Sequence, residues 1–163
     1  METAIKETLW KQFGACIDML ENAILACPNE LWDTPAQFWY NAYHCLFYLD
    51  YYLSPEPEKF SPPSPFTLSE FDPAGTLPEV VYKKEELLGY LNFSRTKCHD
   101  LIAGLTPESA SKRWINEYRD YSLFEMLIYN LRHVQHHVAQ LNLLLRQGMN
   151  GAPGWVSQTK IPL

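Results

Sequence analysis

The feature that most limits the folds open to this chain is a proline-dense stretch at residues 54–78, which holds seven of the twelve prolines. Proline lacks a backbone N–H and its ring clashes with the preceding turn, so neither a helix nor an inner strand runs through such a stretch. It divides the chain into two arms, each with apolar residues at helical spacing. A connection of about 25 residues can cross a whole domain, so the helices it joins need not be antiparallel neighbours. Phe60, Phe66, Leu68 and Phe71 interleave with the prolines, which predicts an ordered, docked crossover rather than a loose linker.

Before the crossover, Ile5, Leu9, Trp10, Phe13, Ile17, Leu20, Ile24 and Leu25 predict a first helix over residues 3–26, stopped by Pro28 and Asn29. Thr34 as cap with Pro35 at the first helical position predicts a second over residues 34–53, stopped by Ser54 and Pro55. Beyond the crossover, Val81, Leu87, Leu88, Leu91, Cys98, Leu101 and Ile102 give the core face of a third helix over residues 78–105. Residues 106–121 are mixed, with a short helix starting at Thr106-Pro107-Glu108. Ser122 with Glu125 three residues on is a capping-box pattern that opens a final helix to Leu145, with Gly148 as its stop. The tail from Met149 reads as irregular, and Trp155 within it either covers a cavity or pins the terminus. No repeat and no strand-like alternation is long enough to name, so the expectation is an all-α four-helix bundle, one domain over residues 1–163.

An apolar share of 47% and an aromatic share of 14% predict a packed, aromatic-rich core. The net charge of -6 argues against nucleic acid or an anionic membrane as partner. Polar residues break every apolar run before the roughly 20 residues of a membrane span, and the start lacks the pattern of a secretory signal. A cytoplasmic protein with small-molecule or protein partners is expected. Cys16, Cys27, Cys45 and Cys98 lack C-x-x-C spacing and read as buried free thiols.

The chemistry lies in the histidines. His133 and His137 stand four residues apart, one turn along the same side of the final helix, so both imidazoles can reach one ion. Leu123, Leu127, Val134, Val138, Leu141 and Leu145 form the apolar arc, with His137 inside its edge and His133 on its border. His136 is rotated by about 100° and is excluded. His44 supplies a third imidazole from the second helix, on an arc with Tyr40, Phe47, Tyr48 and Tyr51. One divalent cation satisfies the nitrogens that would otherwise be buried without partners. His99 adjoins Cys98, but neighbours on a helix point about 100° apart, and that pair is set aside.

These residues resemble the DinB-like (DinB/YfiT) superfamily of bacterial four-helix bundles, whose pattern has one histidine in the second helix and H-x-x-H-H-x-x-Q in the last. Here the pattern reads as His44 and His133-Val134-Gln135-His136-His137-Val138-Ala139-Gln140. The resemblance covers nearly the whole chain and implies an up-down-down-up topology, a ligand set of His44, His133 and His137, and a homodimer. Many members carry Arg-Gly where this chain has Val138-Ala139, though Ala139 keeps a small residue for close packing. Three imidazoles leave an open coordination position; zinc or nickel fits best, with iron, cobalt and manganese compatible. The family also implies a transferase or isomerase that uses a low-molecular-weight thiol with an electrophilic partner. The alternative is a stress-response or ligand-binding module whose metal is structural or vestigial. Asn41, Tyr48, Tyr129, Asn130 and Gln140 are the residues expected to line the cavity or orient ligands.

Overall fold

Apolar residues at helical spacing become four long helices, α1 (Thr3–Ala26), α3 (Phe38–Tyr52), α4 (Lys84–Ala103) and α6 (Leu123–Met149), in a computed structural model that describes residues 2–163. Two short helices, α2 (Asn29–Trp32) and α5 (Pro107–Ser111), sit between them. A two-stranded antiparallel hairpin, β1 (Arg113–Ile115) with β2 (Asp120–Ser122), precedes α6. The chain is mostly helical, as the all-α expectation has it, and the hairpin is a small addition that three-residue strands are too short to announce by alternation. Trp114 anchors it, fully buried, with its indole N–H donating to the Ser54 carbonyl at 2.8 Å.

Two helix starts also differ from expectation. α3 begins at Phe38 rather than Thr34, because the Thr34 carbonyl and hydroxyl accept from the N–H groups of Gln37 (2.8 Å) and Ala36 (3.3 Å) and close a turn around Pro35. Gln37 then takes a left-handed conformation (φ 52°) that no α-helix continues through. α4 begins at Lys84 rather than Pro78, because Tyr82 is buried against Trp39, Tyr43 and Phe66 and its carbonyl accepts from the Trp32 indole at 2.9 Å. That holds the segment extended and leaves Val81 exposed. Ile5 and Leu25 likewise fall outside the core.

Each long helix packs chiefly on two others: α1 on α4 and α6, and α3 on α4 and α6. Between α1 and α4, Lys6 donates to the Ala103 carbonyl at 2.6 Å and Lys84 to the Cys27 carbonyl at 2.5 Å. Between α3 and α4, Tyr90 donates to Asp50 at 3.0 Å and Lys97 to Ser54 at 2.7 Å. Between α3 and α6, the Asn130 amide donates to the Leu49 carbonyl at 2.9 Å. One apolar cluster runs through all four helices, and Tyr51, Tyr52, Trp114 and Met126 form a smaller one under the hairpin.

The crossover is ordered and docked, with 3-10 turns at Pro57–Lys59 and Ser69–Phe71. Phe66 stacks on Tyr43 and Tyr90, and Phe60 and Phe71 meet Phe47 and Tyr51 edge-on. Leu68 stays exposed. The irregular tail lies along α1, where the Trp10 indole donates to the Ile161 carbonyl at 2.8 Å and Thr159 covers Gly14. A Cβ at position 14 would stand 2.5 Å from the Thr159 methyl, so this close approach needs glycine. Trp155 projects outward and takes no part in the anchoring. Among the described residues, no helix is long and apolar enough to cross a membrane.

Candidate metal centre

Packing α3 antiparallel to α6 brings the middle of each helix to the same level. His44 on α3 meets His137 with ring centroids 4.7 Å apart and His133 at 5.8 Å, while His133 and His137 are 4.4 Å apart on α6. One ring nitrogen from each of the three lies within 4.8 Å of the others. Nitrogens around one tetrahedral zinc stand about 3.4 Å apart, so a small inward movement of the rings would let one cation touch all three.

The electrostatics favour neutral imidazoles. Burial, followed by the neighbouring His137 and His44, lowers the His133 pKa to about 3. Burial and His44 lower His137 to about 4, offset in part by Gln140. Neutral imidazoles are the ligating form. The Nδ1 atoms of His133 and His137 are buried and have no hydrogen-bond partner. Such orphaned groups are costly, and a cation held between the rings, or a donor drawn in with it, removes the cost. The donor set therefore fits a borderline divalent ion.

His44 is held differently. Its Nδ1 lies 2.6 Å from Glu70 Oε2, and the Glu70 side chain is only 4% exposed. A carboxylate accepts, so Nδ1 carries the proton and Nε2 keeps its lone pair for an ion, the arrangement by which carboxylates commonly orient ligating histidines. Glu70 sits in the Ser69–Phe71 turn of the crossover. Nothing in its local sequence marked it, because its approach to His44 depends on how the crossover docks. Tyr48 closes the same corner: its ring centroid is 4.8 Å from that of His44, and its hydroxyl donates to the Glu70 carbonyl at 3.2 Å. Burial first, then Glu70, pushes the Tyr48 and Tyr40 phenols above their ordinary values.

The other expected cavity residues divide. Tyr52, which the sequence did not single out, meets His133 edge-on at 5.6 Å. Tyr129 is one layer removed, accepting from Arg119 at 2.7 Å and packing on Tyr52. Asn130 is fully buried, tied to Leu49 through its amide and with its oxygen unpaired. Asn41 is not at the site: its amide donates to the Gln37 and Ala36 carbonyls at 3.0 and 3.3 Å, closing the start of α3. Gln140 is exposed beside His137.

The excluded groups lie elsewhere. His136 points outward on α6. His99 contacts the Pro162 carbonyl and Asp100 at 3.2 Å each and meets Trp10 edge-on. All four cysteines are free and buried, and burial pushes the Cys98 thiol well above its ordinary value, which leaves it inert as a nucleophile. Comparison with family models, curated proteins and solved structures gives no significant match.

Proposed function

We propose that this is a DinB-like, metal-dependent protein in which His44, His133 and His137 hold one divalent ion, zinc or nickel in preference to iron, cobalt or manganese. Its reaction is transfer involving a low-molecular-weight thiol and an electrophilic small molecule. The observation that carries this reading is the pair of buried, unpartnered Nδ1 atoms on His133 and His137 opposite an imidazole already oriented by a carboxylate. An ion held by three neutral imidazoles keeps an open coordination position and supplies Lewis acidity that acidifies a thiol or a water. The chain's own residues set the conditions: Glu70 fixes the His44 tautomer, and Tyr48 and Tyr52 pack against His133 and limit water.

The proposed architecture is a four-helix bundle with up-down-down-up topology. Its support lies in the contact numbering. Positions 6 and 103, then 27 and 84, pair α1 with α4 in opposite senses, whereas 50 with 90 and 54 with 97 pair α3 with α4 in the same sense. The reading extends to a cytoplasmic homodimer that binds neither nucleic acid nor membrane. A light-scattering mass near 19 kDa would overturn the dimer.

Elemental analysis of protein purified without an affinity tag tests the centre, and a preparation refolded with excess zinc or nickel that stays metal-free would sink it. Thiol consumption in the presence of an electrophile, with and without chelator, tests the activity. The burial of His133 among aromatic rings also suits a non-catalytic module in which the ion only clamps α3 to α6. In that case His133→Ala lowers the melting temperature and removes no turnover.

A further inference from the structure

His44 lies in the middle of an aromatic stripe along α3, with Tyr40 one turn before it, Tyr43 beside it, and Phe47 and Tyr48 about one turn after. The crossover docks on this stripe: Phe66 stacks on Tyr43, and Phe71 meets Phe47 edge-on at 5.0 Å. Apolar contact of this kind is non-directional, so it holds the crossover against α3 without fixing where one carboxylate within it must point. Hydrogen bonds are directional and can fix it.

Three hydroxyls on the stripe are placed to do so. The Tyr43 phenol donates to the Thr67 carbonyl at 2.9 Å, which leaves its oxygen to accept from the Ser69 hydroxyl at 3.4 Å. The Tyr48 phenol donates to the Glu70 carbonyl at 3.2 Å. Backbone and side chain are thus tied to α3 over residues 67–70, where the crossover turns at Ser69–Phe71. Tyr40 faces the carboxylate itself. Glu70 gives Oε2 to His44 at 2.6 Å, its Oε1 is buried, and the Tyr40 phenol is set against that carboxylate. A hydroxyl hydrogen rotates to suit its acceptor, so a small turn of the Tyr40 ring supplies the donor that Oε1 lacks.

We propose that Tyr40, Tyr43 and Tyr48 are positioning residues of the histidine centre, their hydroxyls fixing residues 67–70 so that the Glu70 carboxylate meets His44 Nδ1 and keeps the proton there. The inference deepens the reading of His44 as a ligand and rests on it for the effect on metal binding. It makes the docked crossover part of the centre: whatever loosens residues 67–70 loosens the hold on the ion.

Imidazole nitrogen–proton correlation spectra of the metal-free protein read the His44 tautomer directly, and the wild type should carry its proton on Nδ1. Tyr40→Phe, Tyr43→Phe and Tyr48→Phe keep the rings and remove only the hydroxyls. Each should shift His44 toward a mixture of tautomers, with a Tyr43→Phe/Tyr48→Phe double variant furthest from the wild type. Tyr51→Phe is the control, because Tyr51 packs on Phe71 from the same stripe but its hydroxyl accepts from Asn116 at 3.2 Å, outside the crossover. It should leave the tautomer unchanged. Zinc affinity, read by competition with a coloured chelator, should fall about fivefold per lost hydroxyl, the equivalent of one ordinary hydrogen bond. The same changes made in Glu70→Ala should weaken zinc no further, since the tyrosines act through Glu70. A wild type protonated on Nε2, a tautomer unchanged in all the variants, or zinc losses additive with Glu70→Ala overturns the proposal. Should the buried Tyr43→Phe fail to fold, the half-buried Tyr40 and Tyr48 carry the same test. A tautomer that depends on the tyrosines in a protein that binds no zinc overturns the metal reading alone, and zinc binding with a tautomer indifferent to them overturns this one alone.

Discussion

His133 and His137 are neutral in the folded protein well below the pH at which free imidazole ionises, with pKa values lowered to about 3 and about 4 chiefly by burial. In the unfolded chain both return to about 6.5. Between those limits the unfolded state binds more protons, so acid favours unfolding. The contribution to stability is complete above about pH 6.5 and is lost as the pH falls toward the folded values. For metal-free protein, denaturant melts should show stability falling between pH 7 and pH 5. His133 accounts for about 2 kcal/mol of the fall at pH 5 and the more exposed His137 for less. Replacing His133 by Phe should flatten that slope, and a wild-type curve that is level over the same interval would contradict the burial argument. Glu70 makes a different prediction. If its role is to hold the His44 tautomer, Glu70→Ala should weaken zinc binding by about 10- to 100-fold. Glu70→Gln, whose amide oxygen can still accept from Nδ1, should recover part of the loss. Equal loss in both variants, read by chelator competition, would mean that the carboxylate acts by charge and not by orientation.

The elements show which signals are local and which are not. α6 opens where Ser122 and Glu125 predict, because a cap is settled within one turn: the Ser122 hydroxyl accepts from the Glu125 N–H at 3.2 Å. Its far end runs past the expected stop. Gly148 stays helical and serves a close approach instead of a stop, since a Cβ there would meet the Leu31 side chain, and the left-handed residue that closes the helix is Asn150 (φ 59°). The starts of α3 and α4 differ from expectation for two reasons: Thr34-Pro35 closes a local turn that leaves Gln37 left-handed, and Pro78 looks like a helix opening until Tyr82 is placed by residues distant in sequence. His44, His133 and His137 were legible because helical period and spacing alone bring them to inward faces, whereas Glu70 depends on the crossover. So does the buried polar junction of α3 with α4, which no periodicity announces: Asp50, 1% exposed, accepts from Lys97 at 2.5 Å and from Tyr90 at 3.0 Å. Removing one partner of such a pair leaves a charge stranded in the core. Lys97→Ala should therefore destabilise the protein by about 3 kcal/mol. Replacing both Asp50 and Lys97 by apolar residues of similar size should cost less than the single change. Additive losses in urea unfolding would show that the two groups act independently.

At the scale of the whole molecule, the centre joins parts of the chain that the proline-rich crossover separates in sequence. His44 precedes the crossover, Glu70 lies within it, and His133 and His137 belong to the last helix. An ion that binds these groups in the folded state and not in the unfolded chain stabilises the fold by mass action, about 2.7 kcal/mol when its free concentration is 100 times the dissociation constant. For a domain of this length that is a rise of about 5–10 °C in melting temperature. The rise should appear with zinc or nickel and be absent with magnesium, which prefers oxygen ligands to imidazole. It should vanish in His44→Ala, even though α6 keeps its own pair, because two imidazoles on one helix form an incomplete set that no longer bridges α3 to α6. The metal-free His44→Ala protein should itself melt below the metal-free wild type, since losing the imidazole strands the buried Glu70 carboxylate, so the rise is read for each protein against its own metal-free form. An equal rise in the variant would place the ion on the α6 pair alone. No rise in the wild type would leave the orphaned Nδ1 atoms to be satisfied by water.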